Sequence, residues 1–219
     1  MSSPVKVIPL GGVGEIGLNM MVIEHGDCAF LIDTGLMFPE DYMFGVDMVI
    51  PDITYLRSIR EKLRAVIFTH GHEDHIGAYP FLWEDLAGLP VYGTAFTLGL
   101  LEQKLKEQKG HSLGEFYVVK PGDRVQIGPF GIEFIRVCHS IPDCVGLAIE
   151  TPEGIIVHSA DFKVEPSAPS YERTDLGRFS ELGRRGVALL LADSTNADRE
   201  GSSLSELEVT RKLEEIIKG

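Results

Sequence analysis

Apolar residues along the chain fall into short runs, alternating in some stretches and recurring every third or fourth position in others, and this pattern predicts an α/β architecture. Val5–Leu10 reads as a strand, followed by a tight loop over Gly11–Gly17. Met20–Glu24 and Cys28–Asp33 read as a hairpin around His25-Gly26-Asp27, with glycine supplying the turn. A long loop, Gly35–Pro51, precedes a helical pattern over Thr54–Leu63, where Tyr55, Ile59 and Leu63 stand four apart. Ala65–Thr69 predicts a short buried strand that runs straight into His70-Gly71-His72-Glu73-Asp74-His75.

Helices are predicted over Ala78–Leu86 and Ala95–Lys109, either side of a short strand, Val91-Tyr92. Thr94 stands in the N-cap position of the second helix and Gly110 just past its end. The pattern then turns strand-rich, with runs at Phe116–Val119, Val125–Ile127, Ile132–Val137, Gly146–Glu150 and Ile155–Val157. Pro121-Gly122-Asp123, Gly128-Pro129-Phe130-Gly131 and Pro152-Glu153-Gly154 punctuate these runs as turns. Leu176–Arg185 predicts a helix, Val187–Ala192 a buried strand, and Leu204–Lys218 a closing helix with Ser203 and Glu206 in capping-box spacing. With no internal repeat, low-complexity tract or linker, residues 1–219 read as one α/β domain. The last helix nearly reaches Gly219 without completing the cover that a sheet needs, so the pattern predicts a domain that is incomplete at its C-terminus.

Composition narrows the function classes. A hydrophobic fraction of 44%, a charged fraction of 24% and a mean hydropathy of +0.07 fit a folded soluble protein and exclude disorder. The longest dense apolar stretch, Val187–Ala192, falls far short of the roughly 18 residues of a membrane span. The N-terminus lacks a basic segment followed by an apolar one. A cytoplasmic protein with no membrane partner is the expectation. Twenty Lys and Arg against 33 Asp and Glu leave a net charge of −13, so no global basic field attracts a polyanion. Such a substrate would need local cations. Cys28, Cys138 and Cys144 are too few for a disulfide scaffold and read as free thiols, although a Cys138–Cys144 bridge is conceivable from their separation.

The segment His70–His75 packs three imidazoles and two carboxylates behind an apolar strand, and these are ligands that Zn²⁺ prefers. In extended backbone, residues two apart point the same way, so His70 and His72 can grip one ion while Asp74 and His75 turn toward a second site. His139 and Asp161 each follow a predicted strand and are further ligand candidates. Several other signals point elsewhere. Gly12-Val13-Gly14-Glu15-Ile16-Gly17 matches a dinucleotide fingerprint, but a strand rather than a helix follows it, and close backbone packing near the site is the better role. Ser140 and Ser194 lie outside any nucleophile-elbow motif. His25 and His111 read as surface residues, His158 as a strand-end residue, and Lys104, Lys106 and Lys109 as a solvated helix face.

The order His-x-His-x-Asp-His, then a lone His, then a lone Asp resembles the ligand order of the metallo-β-lactamase superfamily. Five segments sharpen the resemblance to its β-CASP branch and the ribonuclease J family: Pro9–Gly17, Thr69–Gly77, His139–Asp143, Ala160–Lys163 and Asp193–Ala197. The resemblance implies a four-layer αβ/βα sandwich with two zinc ions at one end. It assigns His70, His72 and His139 to one ion, Asp74 and His75 to the other, and Asp161 to a bridge between them. Asp33, in Ile32-Asp33-Thr34-Gly35, matches an acidic residue that orients the site. Asp33, Asp74, His75 and Asp161 are the implied catalytic set. The family usually has Gly where this chain has Ala160.

By the same resemblance the substrate is RNA, cleaved from the 5′ end or internally by a hydroxide held between ions about 3.5–4 Å apart. The family continues beyond this chain into a β-CASP region that brings a further histidine ligand, an acid histidine and RNA-binding surface. Residues 1–219 alone are therefore expected to be inactive on RNA, and the full-length protein is where a homo-oligomer would form. Two other readings stay open on the residues themselves. One is a small-molecule hydrolase of esters, thioesters or lactams; the other is a zinc-binding fragment without catalysis.

Overall fold

The structure, a computed structural model, describes residues 3–109, 114–170, 172–201 and 204–219. Its first half runs β1 (Val5–Gly11), β2 (Met20–His25), β3 (Cys28–Ile32), α1 (Thr54–Ser58), β4 (Leu63–Ile67), α2 (Glu73–Ile76), α3 (Tyr79–Leu86), β5 (Val91–Gly93), α4 (Ala95–Lys109) and β6 (Phe116–Val118). These six strands form one sheet in chain order, antiparallel from β1 to β3 and parallel from β3 to β6. The second half runs β7 (Arg124–Ile127), β8 (Phe130–Arg136), β9 (Val145–Thr151), β10 (Gly154–His158), α5 (Leu176–Arg185), β11 (Val187–Leu191) and α6 (Glu206–Lys218). Its strands form a five-stranded sheet in the order β11-β10-β9-β8-β7, antiparallel except for β10 with β11.

Period-two alternation decides which side chains face which layer. On β3, Phe30 and Ile32 point between the sheets, where they meet Phe130, Ile132 and Phe134 of β8 and Val145, Leu147 and Ile149 of β9. Ala29 and Leu31 point the other way, toward Leu56 of α1, Tyr79, Leu82 and Leu86 of α3, and Leu98, Leu101 and Leu105 of α4. The three- and four-residue spacing on α3 and α4 is the helical counterpart of that stripe. Outside the second sheet, Ile135, Ala148 and Val157 pack on Leu182 of α5. Helices, sheet, sheet and helix give the four-layer αβ/βα sandwich.

Several elements depart from the sequence reading. The expected helix over Thr54–Leu63 stops at Ser58 and gives way to a 3₁₀ turn, Arg60–Lys62. Parallel pairing of Leu63 with Ala29 draws that residue into the sheet instead. The extended run after β4 ends at His72, and Glu73–Ile76 forms one helical turn. Val187–Leu191 is a strand as expected but not a buried one: Leu189 is 39% and Leu190 61% exposed. Among the described residues β11 pairs with β10 alone. The closing helix starts two residues later than expected, on a capping box of Ser205 and Glu208 rather than Ser203 and Glu206, and none of its residues is buried. His25 is half-buried, with its ring edge-on to Phe130, rather than a surface residue. Gly110, His111 and Ser203 lie outside the described residues. All three cysteines are free and buried.

Candidate metal centre

Strand ends place the chemistry. Asp33 follows β3, His70 to His75 follow β4, His139 follows β8 and Asp161 follows β10, so loops of both sheets meet at one rim of the sandwich. A hydrogen bond from Val145 N to Thr69 O, 3.0 Å, joins the two sheets there. All the residues expected from the sequence to form the site are brought to this rim.

His70 Nε2 and His139 Nε2 each lie 3.1 Å from His72 Nδ1, so three imidazole nitrogens converge on one point. A tetrahedral ion with Zn–N distances of about 2.0–2.1 Å separates its ligands by about 3.3 Å, and the spacing fits that polyhedron. A second convergence joins His70, His75 and Asp161. His75 Nε2 lies 3.4 Å from Asp161 Oδ1 and 3.7 Å from Asp74 Oδ2, while His139 Nε2 lies 3.6 Å from Asp161 Oδ2. The two oxygens of Asp161 thus face one group of histidines each. Fully buried His70 stands between both groups.

Asp33 acts behind these groups. Its backbone is left-handed, φ 57°, and its carboxylate accepts from Thr69 N and Thr69 Oγ1, both at 2.8 Å. The remaining contact is His75 Nδ1 at 2.8 Å from Asp33 Oδ2. A carboxylate on Nδ1 fixes the ring and leaves Nε2 facing the site. Ala160, also left-handed at φ 52°, donates its N–H to His158 Nδ1 and thereby aims the next residue, Asp161.

The electrostatics follow from this packing. Burial drives the His70 imidazole far below its usual range, and the neighbouring His75 adds to that. Burial also lowers His139. It works against a proton on His75 too, but Asp33 and Asp161 outweigh it and raise that pKa to about 10. A metal ion at His75 therefore competes with a tightly held proton. Burial alone would raise the Asp161 carboxyl; the hydrogen bond and charge of His75 reverse this and hold it far below the carboxylate range. Burial pushes the Cys144 thiol up to about 12, which makes it a poor ligand beside the imidazoles.

Two cavities open on the rim. One of about 740 Å³ is lined by Asp33, Asp74, His75 and Asp161 together with the loop over residues 11–17 and Asp193 to Asn196. The other, about 340 Å³, is lined by His139, Cys138, Cys144 and Arg136. Sequence reasoning missed Thr69 and Asn19. Thr69 stands directly before His70 and donates to Asp33; Asn19 closes the glycine-rich loop, and its Nδ2 lies 3.3 Å from Asp74 Oδ2.

Residues 13–197 match the family described as Metallo-beta-lactamase superfamily. The chain belongs to that superfamily. This metallo-β-lactamase chain is 46% identical to a protein named Ribonuclease J from Thermus thermophilus, over 97% of its own length and 38% of the relative's. It is 44% identical to one of the same name from Helicobacter pylori, over 98% of its length and 31% of the relative's. The chain thus spans well under half the length of these relatives. Among solved structures, a protein of unknown function from Enterococcus faecalis V583 superposes with a TM-score of 0.69 at 18% identity, covering 92% of this chain and 52% of that one. YhfI, a metallo-β-lactamase fold protein from Bacillus subtilis, gives 0.54 at 23% identity, with 75% of this chain and 65% of that one covered. These likenesses show the fold. In a metallo-β-lactamase domain, this histidine and aspartate cluster is a metal site. Among the described residues no helix is long and apolar enough to cross a membrane.

Proposed function

We propose that this chain is the metallo-β-lactamase part of a zinc-dependent ribonuclease that hydrolyses RNA phosphodiesters. The observation that carries the reading is the double convergence on Asp161, in a chain whose relatives at 44–46% identity bear the name Ribonuclease J. His70, His72 and His139 would hold one ion, Asp74 and His75 the other, with Asp161 between them. When bound, the two ions supply Lewis-acid stabilisation of phosphoryl charge and a water of lowered pKa. They also supply the local positive charge that a chain of net charge −13 needs to receive a polyanion.

The chain's own residues do the positioning. Asp33 accepts from His75 Nδ1, which aims Nε2 into the site. Asp161, with one oxygen toward each group of histidines, would help fix the direction of the attacking water. The larger cavity falls within the range of ligand clefts, about 300–1,000 Å³, and its lining by Asp74, His75 and Asp161 supports a reading in which the scissile phosphate would sit beside them.

A segment exchange tests the proposal. Residues 1–219 would replace the corresponding segment of the T. thermophilus relative, and the chimera would be offered 5′-monophosphorylated RNA and a chromogenic lactam. Metal-dependent RNA cleavage, abolished by Asp161→Asn, is expected. Lactam turnover without RNA cleavage would instead establish the small-molecule hydrolase.

A further inference from the structure

Asn19 is held in the second ligand group from three sides. Its main chain is clamped: Asn19 N donates to Asp74 O at 3.1 Å, and Asn19 O accepts from Gly35 N at 2.8 Å. A Cβ on Gly35 would stand 1.7 Å from Asp74 O and 2.6 Å from Asn19 N, so glycine is required for the three segments to meet. The side chain then reaches back to the same aspartate, with Nδ2 3.3 Å from Asp74 Oδ2 and 3.1 Å from His75 Nε2. Behind the carboxamide lies Gly12, where a Cβ would fall 2.5 Å from Asn19 Oδ1. The amide is therefore wedged between the glycine-rich loop and two ligand candidates.

We infer that Asn19 is a positioning residue of the second metal site, which orients the Asp74 carboxylate by donating to Oδ2. The inference rests on the two-ion reading proposed above. Asp74 needs such support, since its side chain is 33% exposed and sits in a four-residue helix that offers little packing. A carboxylate free to rotate loses rotational freedom each time it binds an ion, and a fixed N–H partner reduces that cost. The donor must be the N–H₂ end, because a carbonyl turned toward Asp74 would set two acceptors face to face. Attraction of His75 Nε2 to an ion would leave the bond to Asp74 untouched. The glycine-rich loop thereby gains a role: it is the back wall that keeps the amide on Asp74, with Gly12 giving the room.

Chelator competition on the Co²⁺-loaded chain, followed by visible absorption, tests the inference. Two release phases are expected for the unaltered chain, and Asp74→Asn identifies the phase of the second site by removing it. Asn19→Leu keeps the branched four-atom side-chain skeleton and both main-chain bonds but has no donor. Its second-site phase should move to at least tenfold lower chelator concentration, in the range of about 10–100-fold for lost outer-shell partners. The first-site phase and its absorption band should not move, which a general loss of structure could not reproduce. Asn19→Ser, a smaller change with a shorter donor, should fall between and serves the same purpose if the leucine variant does not fold. A second-site phase unchanged in Asn19→Leu, or both phases shifted together, would overturn the assignment of Asn19 alone. A single phase in the unaltered chain would overturn the two-ion reading itself.

Discussion

Ala160 shows how one backbone angle bears on the metal centre. Its φ of 52° lies in the left-handed region, which costs a non-glycine residue about 1–2 kcal/mol. The residue is nevertheless buried, at 4% exposure. Ala160→Gly relieves the backbone cost but loses a buried methyl, about 0.8 kcal/mol, and adds about 0.5–1 kcal/mol of chain entropy. The exchange should be neutral to within about 1 kcal/mol in thermal melts, so alanine is tolerated where the family usually has glycine. Ala160→Val, with a branched side chain in the same region, should destabilise by about 2 kcal/mol and lower the metal content through Asp161. Equal melts and equal metal content for the valine variant would refute this. Legibility at this scale was uneven. Each member of the His70–His75 cluster, His139 and Asp161 stood out because their chemistry is rare behind apolar strands. Asn19 did not, since an asparagine closing a glycine-rich run reads as an ordinary turn residue.

Glu24 ties four elements together, and it does so by charge. Burial alone would raise its carboxyl, but hydrogen bonds from Lys62, Tyr55 and Lys6 outweigh that and hold its pKa down at about 2. Tyr55 OH donates at 2.6 Å, Lys62 Nζ at 2.8 Å and Lys6 Nζ at 3.2 Å, so β2 is linked to α1, to the 3₁₀ turn and to β1. A carboxyl whose folded pKa is depressed contributes stability above its unfolded value, near 4.5, and loses it as pH falls toward 2. Glu24→Gln should cost about 1–2 kcal/mol at neutral pH, a figure kept modest because both lysines are partly exposed. The variant should also lose the part of the acid-side slope seen between pH 4.5 and pH 2 in denaturant titrations of the parent. An unchanged slope would count against the ion-pair account. The strands themselves were legible from alternation. The helix at Thr54 was overextended because Leu63 continues a four-residue spacing by coincidence while its backbone pairs with Ala29. The exposure of β11 was not legible, because hydrophobicity at Leu189 and Leu190 says nothing of what covers them.

Across the whole molecule the proposed ligands divide between the two sheets, with His70, His72, Asp74 and His75 after β4 and His139 and Asp161 after β8 and β10. An ion bound by both groups acts as a clamp on the sandwich. Zn²⁺ at a thousandfold excess over its dissociation constant should stabilise the fold by about 4 kcal/mol, read as a rise in the unfolding midpoint that EDTA reverses. The paired change His70→Ala and His72→Ala should abolish most of that rise. A midpoint indifferent to metal in the unaltered chain would show that the clamp does not exist. The same division has a temporal side. A chain made from its N-terminus releases the His70–His75 cluster well before Asp161. Until β10 has paired and brought Asp161 to the rim, a nascent chain has the His70–His75 cluster without the carboxylate that faces both groups of histidines. On the proposed function, competence to cut cannot precede Asp161, so the molecule cannot act on the RNA of its own synthesis before that residue has been made.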